Sequence, residues 1–126
     1  MNGDLVVLDD DDDLLDAVAE LVEATTARKV WKARSVAELM TLGSRALACE
    51  LAILDVNLGA NAPSGLDALF WLNECNFKGR ACFLTGHAAS HQLVQDAHIS
   101  PNVPVFSKPI SGDDLLALLE QHDDRN

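Results

Sequence analysis

The sequence predicts an α/β protein whose parallel sheet is doubly wound, with helices on both faces. Three observations predict it. Short apolar runs recur along the chain, near-continuous rather than alternating, as strands buried on both faces require. Amphipathic helical patterns separate them, so the order is β-α repeated five times. Most of the runs end in a polar residue, and in an open parallel sheet ligands bind outside the carboxyl ends of the strands.

The elements follow in order. Leu5-Val6-Val7-Leu8 is the first strand and ends in Asp9 and Asp10. Leu14, Leu15, Val18, Leu21 and Val22 then recur at helical spacing. A short strand is expected from Lys29 to Ala33. Ser35-Val-Ala-Glu38 has the form of a capping box, opening a helix with Val36, Leu39 and Met40 on one face. Leu51-Ala52-Ile53-Leu54 is the third strand and ends in Asp55. The stretch Gly59–Gly65, with a proline and two glycines, is a loop. Ser64-Gly-Leu-Asp67 starts the next helix, with Leu66, Leu69 and Phe70 as its apolar residues. Ala81-Cys82-Phe83-Leu84 is the fourth strand and ends in Thr85. A weak helical pattern spans Ala88 to Ala97. Val103-Pro104-Val105-Phe106 is the fifth strand, followed by Lys108 and Pro109, and a proline within a strand argues for the sheet edge. Ser111-Gly-Asp-Asp114 caps a last helix whose Leu115, Leu118 and Leu119 face inward.

The 126 residues, 48% hydrophobic, suit a single domain over residues 1–126, with no output domain expected. No stretch has the ~20 apolar residues of a membrane span, and no secretory signal pattern opens the chain. A net charge of −11 argues against nucleic acid and anionic lipid as partners. Cys49, Cys75 and Cys82 form no Cys-x-x-Cys pair and are expected to be thiols in a reducing, cytoplasmic compartment.

Of the acidic run Asp9 to Asp13, the last three suit the positive end of the first helix dipole. Asp9 and Asp10 would meet Asp55 at neighbouring strand ends. Two like charges 4 Å apart cost about 4 kcal/mol at an effective dielectric near 20, so such a cluster calls for a cation or raised pKa values. Magnesium, which takes hard oxygen ligands, suits it. A carboxylate can attack phosphorus. Asp55 would then be the nucleophile, with the Lys108 ammonium and the Thr85 hydroxyl on the phosphoryl oxygens. Taken singly, Thr85 is an ordinary strand end and Lys108 a surface lysine; the ordered set is what is specific.

The set Val7-Leu8-Asp9-Asp10, Leu54-Asp55-Val56-Asn57, Leu84-Thr85-Gly86 and Ser107-Lys108-Pro109 resembles the receiver domain of two-component response regulators, the CheY-like superfamily, over essentially the whole chain. The resemblance implies a flavodoxin-like sheet of five parallel strands in order 2-1-3-4-5 with five helices. It implies Asp55 as phosphoacceptor, and Asp9, Asp10, Asp55 and the Asn57 carbonyl around Mg2+. Thr85 and Lys108 match the pair that contacts the phosphoryl group. It implies a histidine kinase or histidine phosphotransfer protein as partner, a downstream protein target, and a protein not classed as an enzyme beyond its own aspartyl phosphorylation and dephosphorylation; a homodimer is left open. His87, two residues past Thr85, matches a position that tunes phosphoryl lifetime.

Three departures stand out. The Gly59–Gly65 loop is about two residues longer than is usual in the family and lacks the common proline soon after the phosphoacceptor. His98-Ile-Ser-Pro-Asn102 replaces the usual link before the last strand. Val105 stands where the family often has Tyr or Phe, with Phe106 one place later, on the opposite face. Two other readings remain: a pseudo-receiver that acts only as a protein-interaction module, and a small magnesium-dependent phosphohydrolase using Asp9 to Asp11.

Overall fold

The computed structural model describes residues 3–56, 64–85, 103–107 and 111–123. Asn57, His87, Lys108 and Pro109, most of the Gly59–Gly65 loop, and the expected helix over Ala88 to Ala97 lie outside them.

The strands are β1 (Leu5–Leu8), β2 (Val30–Ala33), β3 (Leu51–Asp55), β4 (Arg80–Thr85) and β5 (Val105–Ser107). They form one sheet in the order β2-β1-β3-β4-β5, every pair parallel. The expected topology is therefore the observed one. The chain runs from β1 outward to β2 and then returns across to β3, so the order reverses between β1 and β3. That reversal opens a crevice at the carboxyl ends of these two strands.

Five helical segments lie among the described residues: α1 (Asp12–Thr25), α2 (Val36–Leu42), α3 (Ser44–Leu47), α4 (Gly65–Glu74) and α5 (Gly112–Asp123). Strand alternation sorts the core into two layers. Leu5, Val7, Ile53, Cys82 and Leu84 pack with Leu15, Val18 and Val22 of α1 and with Leu115, Leu118 and Leu119 of α5. Val6, Leu8, Leu54 and Phe83 pack with Val36 and Leu39 of α2, Ala46 of α3, and Ala68 and Leu72 of α4. Burying a Leu, Val or Phe side chain contributes about 1.5–3 kcal/mol, and every residue of β1 is fully buried. The central strands are thus the fixed frame of the molecule.

The helix starts are set by side chains that the sequence announced. Ser35 Oγ accepts from the Glu38 N–H at 3.1 Å. The Glu38 carboxylate reaches back one residue further than a standard box, accepting from the Arg34 N–H at 2.9 Å. Ser64 Oγ accepts from the Leu66 N–H at 3.1 Å, and Asp67 accepts from the Ser64 N–H at 2.7 Å. Ser111 Oγ accepts from the Asp114 N–H at 3.0 Å. Gly43, with φ 56°, breaks the helical run into α2 and α3. That angle strains any residue with a β-carbon.

Two apolar residues of the helical patterns are exposed: Met40 at 48% and Phe70 at 68%. Each helical residue turns about 100° from the last. Leu39 points into the core, so Met40 is carried off it. Ala68 and Leu72, four apart, define the buried stripe of α4, which leaves Phe70 on the opposite side. Trp31 packs against the core, with Lys29 Nζ 4.3 Å from its ring centre. β5 lies at the sheet edge, and the Pro104 carbonyl still accepts from the Phe83 N–H at 2.9 Å. Val105 and Phe106 pack into opposite layers.

Candidate functional site

The polar strand ends come together at the crevice. Asp9 and Asp10 follow β1, Asp55 closes β3, and Leu8 pairs with Leu54 in the register between those strands. Carboxylate oxygens of Asp9, Asp10 and Asp55 all lie within 4.8 Å of one another. Asp9 and Asp55 are buried, at 0% and 1% exposure, while Asp10 is open to solvent. The cluster thus has two buried carboxylates and one that faces water.

Local backbone geometry holds these groups. The Asp9 N–H donates to the Ala33 carbonyl at 3.0 Å, tying the end of β1 to β2. Asp9 Oδ1 accepts from the Asp11 N–H at 2.9 Å, which turns the chain from strand into helix. Asp11 caps α1, its Oδ1 accepting from the Asp13 N–H at 3.0 Å, and Asp12 and Asp13 fill the first turn. Asp11 to Asp13 therefore lie at the helix start, where the sequence places them. Asp12 also pairs with Arg34 at 2.7 Å, away from the cluster.

Thr85 closes β4, the strand beside β3, and is half-buried. The Val56 N–H donates to the Leu84 carbonyl at 2.9 Å, which fixes the end of β3 against the residue before Thr85. Thr85 is opposite Ser107 on β5. The described residues therefore bring Asp9, Asp10 and Asp55 into one cluster and put Thr85 one strand away. Asn57 and Lys108 follow directly on described strand ends, Asp55-Val56 and Ser107.

A cation fits this donor set on chemical grounds. Three carboxylates in such proximity repel one another, and hard oxygen ligands with an open, solvated side are what magnesium takes. The two buried cysteines, Cys49 and Cys82, offer no competing chemistry. Burial pushes the Cys82 thiol up to about 12, against the opposing charge of Arg80. Burial, with the Asp4 charge adding to it, pushes the Cys49 thiol up to about 12 as well. Neither supplies a thiolate near neutral pH.

One contact was missed by the sequence reading. Gly65, the first residue of α4, lies against the backbone of Asp55. Its only sequence signal was its place after the helix cap Ser64.

The fold and this cluster define a doubly wound α/β protein with three carboxylates gathered at its topological switch point. Comparison with solved structures narrows the fold to that of response-regulator receiver domains. A CheY-like receiver domain protein from Methanospirillum hungatei matches with a TM-score of 0.79 and 19% identity, covering 100% of both chains. The beryllofluoride-activated DrrB receiver domain matches at 0.79 and 21%, over 99% of this chain and 100% of that one. The receiver domain of NtrX from Brucella abortus matches at 0.78 and 22%, over 98% and 100%. Against the longer NtrX chain crystallised with ATP, this chain spans 27% of the length. No sequence-family model and no curated protein sequence matches the chain. No described helix is long and apolar enough to cross a membrane.

Proposed function

We propose that this chain is a phosphoacceptor receiver of a two-component phosphorelay. The observation that carries the reading is the carboxylate cluster: Asp9, Asp10 and Asp55 within 4.8 Å, at the ends of the two strands that flank the switch point. The receiver-domain fold of the whole chain supports it.

The donor is a phosphohistidine on a kinase or phosphotransfer protein. An Asp55 carboxylate oxygen attacks phosphorus, and the new O–P bond forms as the P–N bond to the donor imidazole breaks. The imidazole nitrogen keeps the bonding electron pair and takes up a proton. Asp55 becomes an acyl phosphate, which water later hydrolyses. Asp9, Asp10, Asp55 and the Asn57 carbonyl would hold Mg2+, which supplies neutralising charge for the phosphoryl oxygens. The Thr85 hydroxyl donates to one of these oxygens and the Lys108 ammonium pairs with another. The chain acts on itself rather than turning over a substrate, and it signals by protein binding that depends on phosphorylation. Three free, unbridged cysteines suit a reducing, cytoplasmic setting. A pseudo-receiver would keep the fold and the binding and lose the chemistry.

Incubation with acetyl phosphate and Mg2+, followed by intact-mass measurement, tests the reading. The wild type is expected to gain one phosphoryl group, and Asp55→Asn none. Equal labelling of Asp55→Asn would reject Asp55. No labelling of the wild type, together with no beryllofluoride binding, would favour the pseudo-receiver.

A further inference from the structure

α4 begins at Gly65, directly after its cap Ser64. Glycine there is not demanded by backbone angles: among the described residues, positive φ belongs only to Gly43 and Asn76. A helix interior would favour alanine over glycine. The reason for glycine is space. A β-carbon built on Gly65 would lie 2.9 Å from the Asp55 carbonyl carbon and 3.3 Å from Val56 Cα, and closer still to the Asp55 carbonyl oxygen. These are backbone atoms, which cannot swing aside as a side-chain end would.

Both sides of this contact are fixed. On one side, Asp55 is paired with Leu84 across β3 and β4, and the Val56 N–H donates to the Leu84 carbonyl at 2.9 Å. On the other, the reciprocal bonds between Ser64 and Asp67 hold the first turn of α4, and Ala68 and Leu72 seat the helix in the core. The Gly65 N–H joins the two, donating to the Val56 carbonyl at 3.3 Å. The start of α4 is therefore a stop against which the peptide of Asp55 rests.

We propose that Gly65 is a positioning residue for Asp55, its missing side chain setting where the Asp55 carboxylate stands relative to Asp9 and Asp10; this rests on the reading of Asp55 as phosphoacceptor. A β-carbon at this position must push either the Asp55 peptide or the helix start outward. Displacement of a nucleophile by about 1 Å can cost on the order of 100-fold in rate. The loss falls on the rate at saturating phosphodonor, because the groups that meet the donor are unchanged.

The experiment compares wild type, Gly65→Ala and Leu72→Ala with acetyl phosphate and Mg2+. Rates are read by intact mass and folding by circular dichroism. Leu72→Ala weakens the same helix from its buried far end and adds no atom near Asp55. Gly65→Ala is expected to lose about 10- to 100-fold in maximal rate with little change in half-saturating phosphodonor. Leu72→Ala, measured where it is folded, is expected to stay within about threefold of wild type. Should Gly65→Ala unfold in buffer, the rates are compared in trimethylamine N-oxide, which strengthens burial. A folded Gly65→Ala with wild-type rate overturns the proposal, and so does an equal loss in Leu72→Ala. An unlabelled wild type overturns the phosphoacceptor reading itself.

Discussion

At the N-terminal ends of β1 and β3, charges of both signs are interleaved. Arg28, 3% exposed, donates to the Gly3 carbonyl at 2.9 Å and to Glu50 at 3.0 Å. Asp4 accepts from the Lys29 N–H at 3.2 Å and from Trp31 Nε1 at 3.3 Å. At the C-terminal ends of the same two strands, carboxylates of one sign converge within 4.8 Å. The strands between are buried alike at both ends. Burial therefore does not decide how charge is arranged. One end carries ion pairs and hydrogen bonds that serve the fold; at the other, three carboxylates converge, as the proposed cation and phosphoryl site calls for.

Breaking the ion-paired end is expected to give the largest effect. Arg28→Met removes the guanidinium that pairs with the Glu50 carboxylate at 3.0 Å. The cost is expected at about 3 kcal/mol, the low end for a broken buried pair, because the Glu50 side chain keeps 29% exposure. Urea unfolding measures it, and a change under 1 kcal/mol would contradict the contrast drawn between the two ends.

Alkaline pH is expected to erode the same end by charging it. Cys49 lies in the core beside this cluster, its thiol raised from 9.0 to about 12. The native state thus keeps its proton while the unfolded chain has lost it. The resulting stability is complete below pH 9 and falls as the pH rises toward 12, as it does for Cys82. One such thiol contributes a slope of at most about 1.4 kcal/mol per pH unit. Cys49→Ala should flatten the fall of stability between pH 9 and 12, whatever it does to the level at pH 7. An unchanged slope would show that Cys49 ionises equally in both states.

The acidic end is expected to respond in the opposite direction, and least. Asp10→Asn removes one like charge from the cluster. Without divalent ions it should raise stability by about 1 kcal/mol, the scale of two charges at 4 Å in a water-like dielectric, since Asp10 is exposed. The same variant should show a smaller rise in Tm on adding Mg2+. Loss of stability without metal would argue that Asp10 belongs to the fold.

Much of this was legible in the sequence, because the deciding signals are local. Runs such as Leu51 to Leu54 ending in Asp55 announced both the sheet and the carboxyl ends where a site belongs. Ser35, Ser64 and Ser111 marked helix starts, and each accepts a backbone hydrogen bond there. What stayed hidden depended on the angle between neighbours or on contact across the fold. Met40 and Phe70 are apolar, yet the turn of their helices carries both outward. Gly43 and Gly65 look alike as letters. One serves a backbone angle and the other a lack of room, a difference that exists only once β3 and α4 meet. The resemblance supplied the strand order and the expected role of the Asn57 carbonyl, while the roles expected of Asp55, Thr85 and Lys108 came from the chemistry of the strand ends.

The sheet margins bear on how copies of this chain would meet one another. A flat, bare outer strand is a template for strand addition and aggregation. Here β2 is four residues long and turns the charged Lys32 outward, and β5 is three residues long with Pro104 just before it. Both margins are blunted by the devices that discourage edge-to-edge growth. Among the described residues, self-recognition through a continued sheet is therefore disfavoured, and Phe70 on α4 is an exposed large apolar side chain away from both margins.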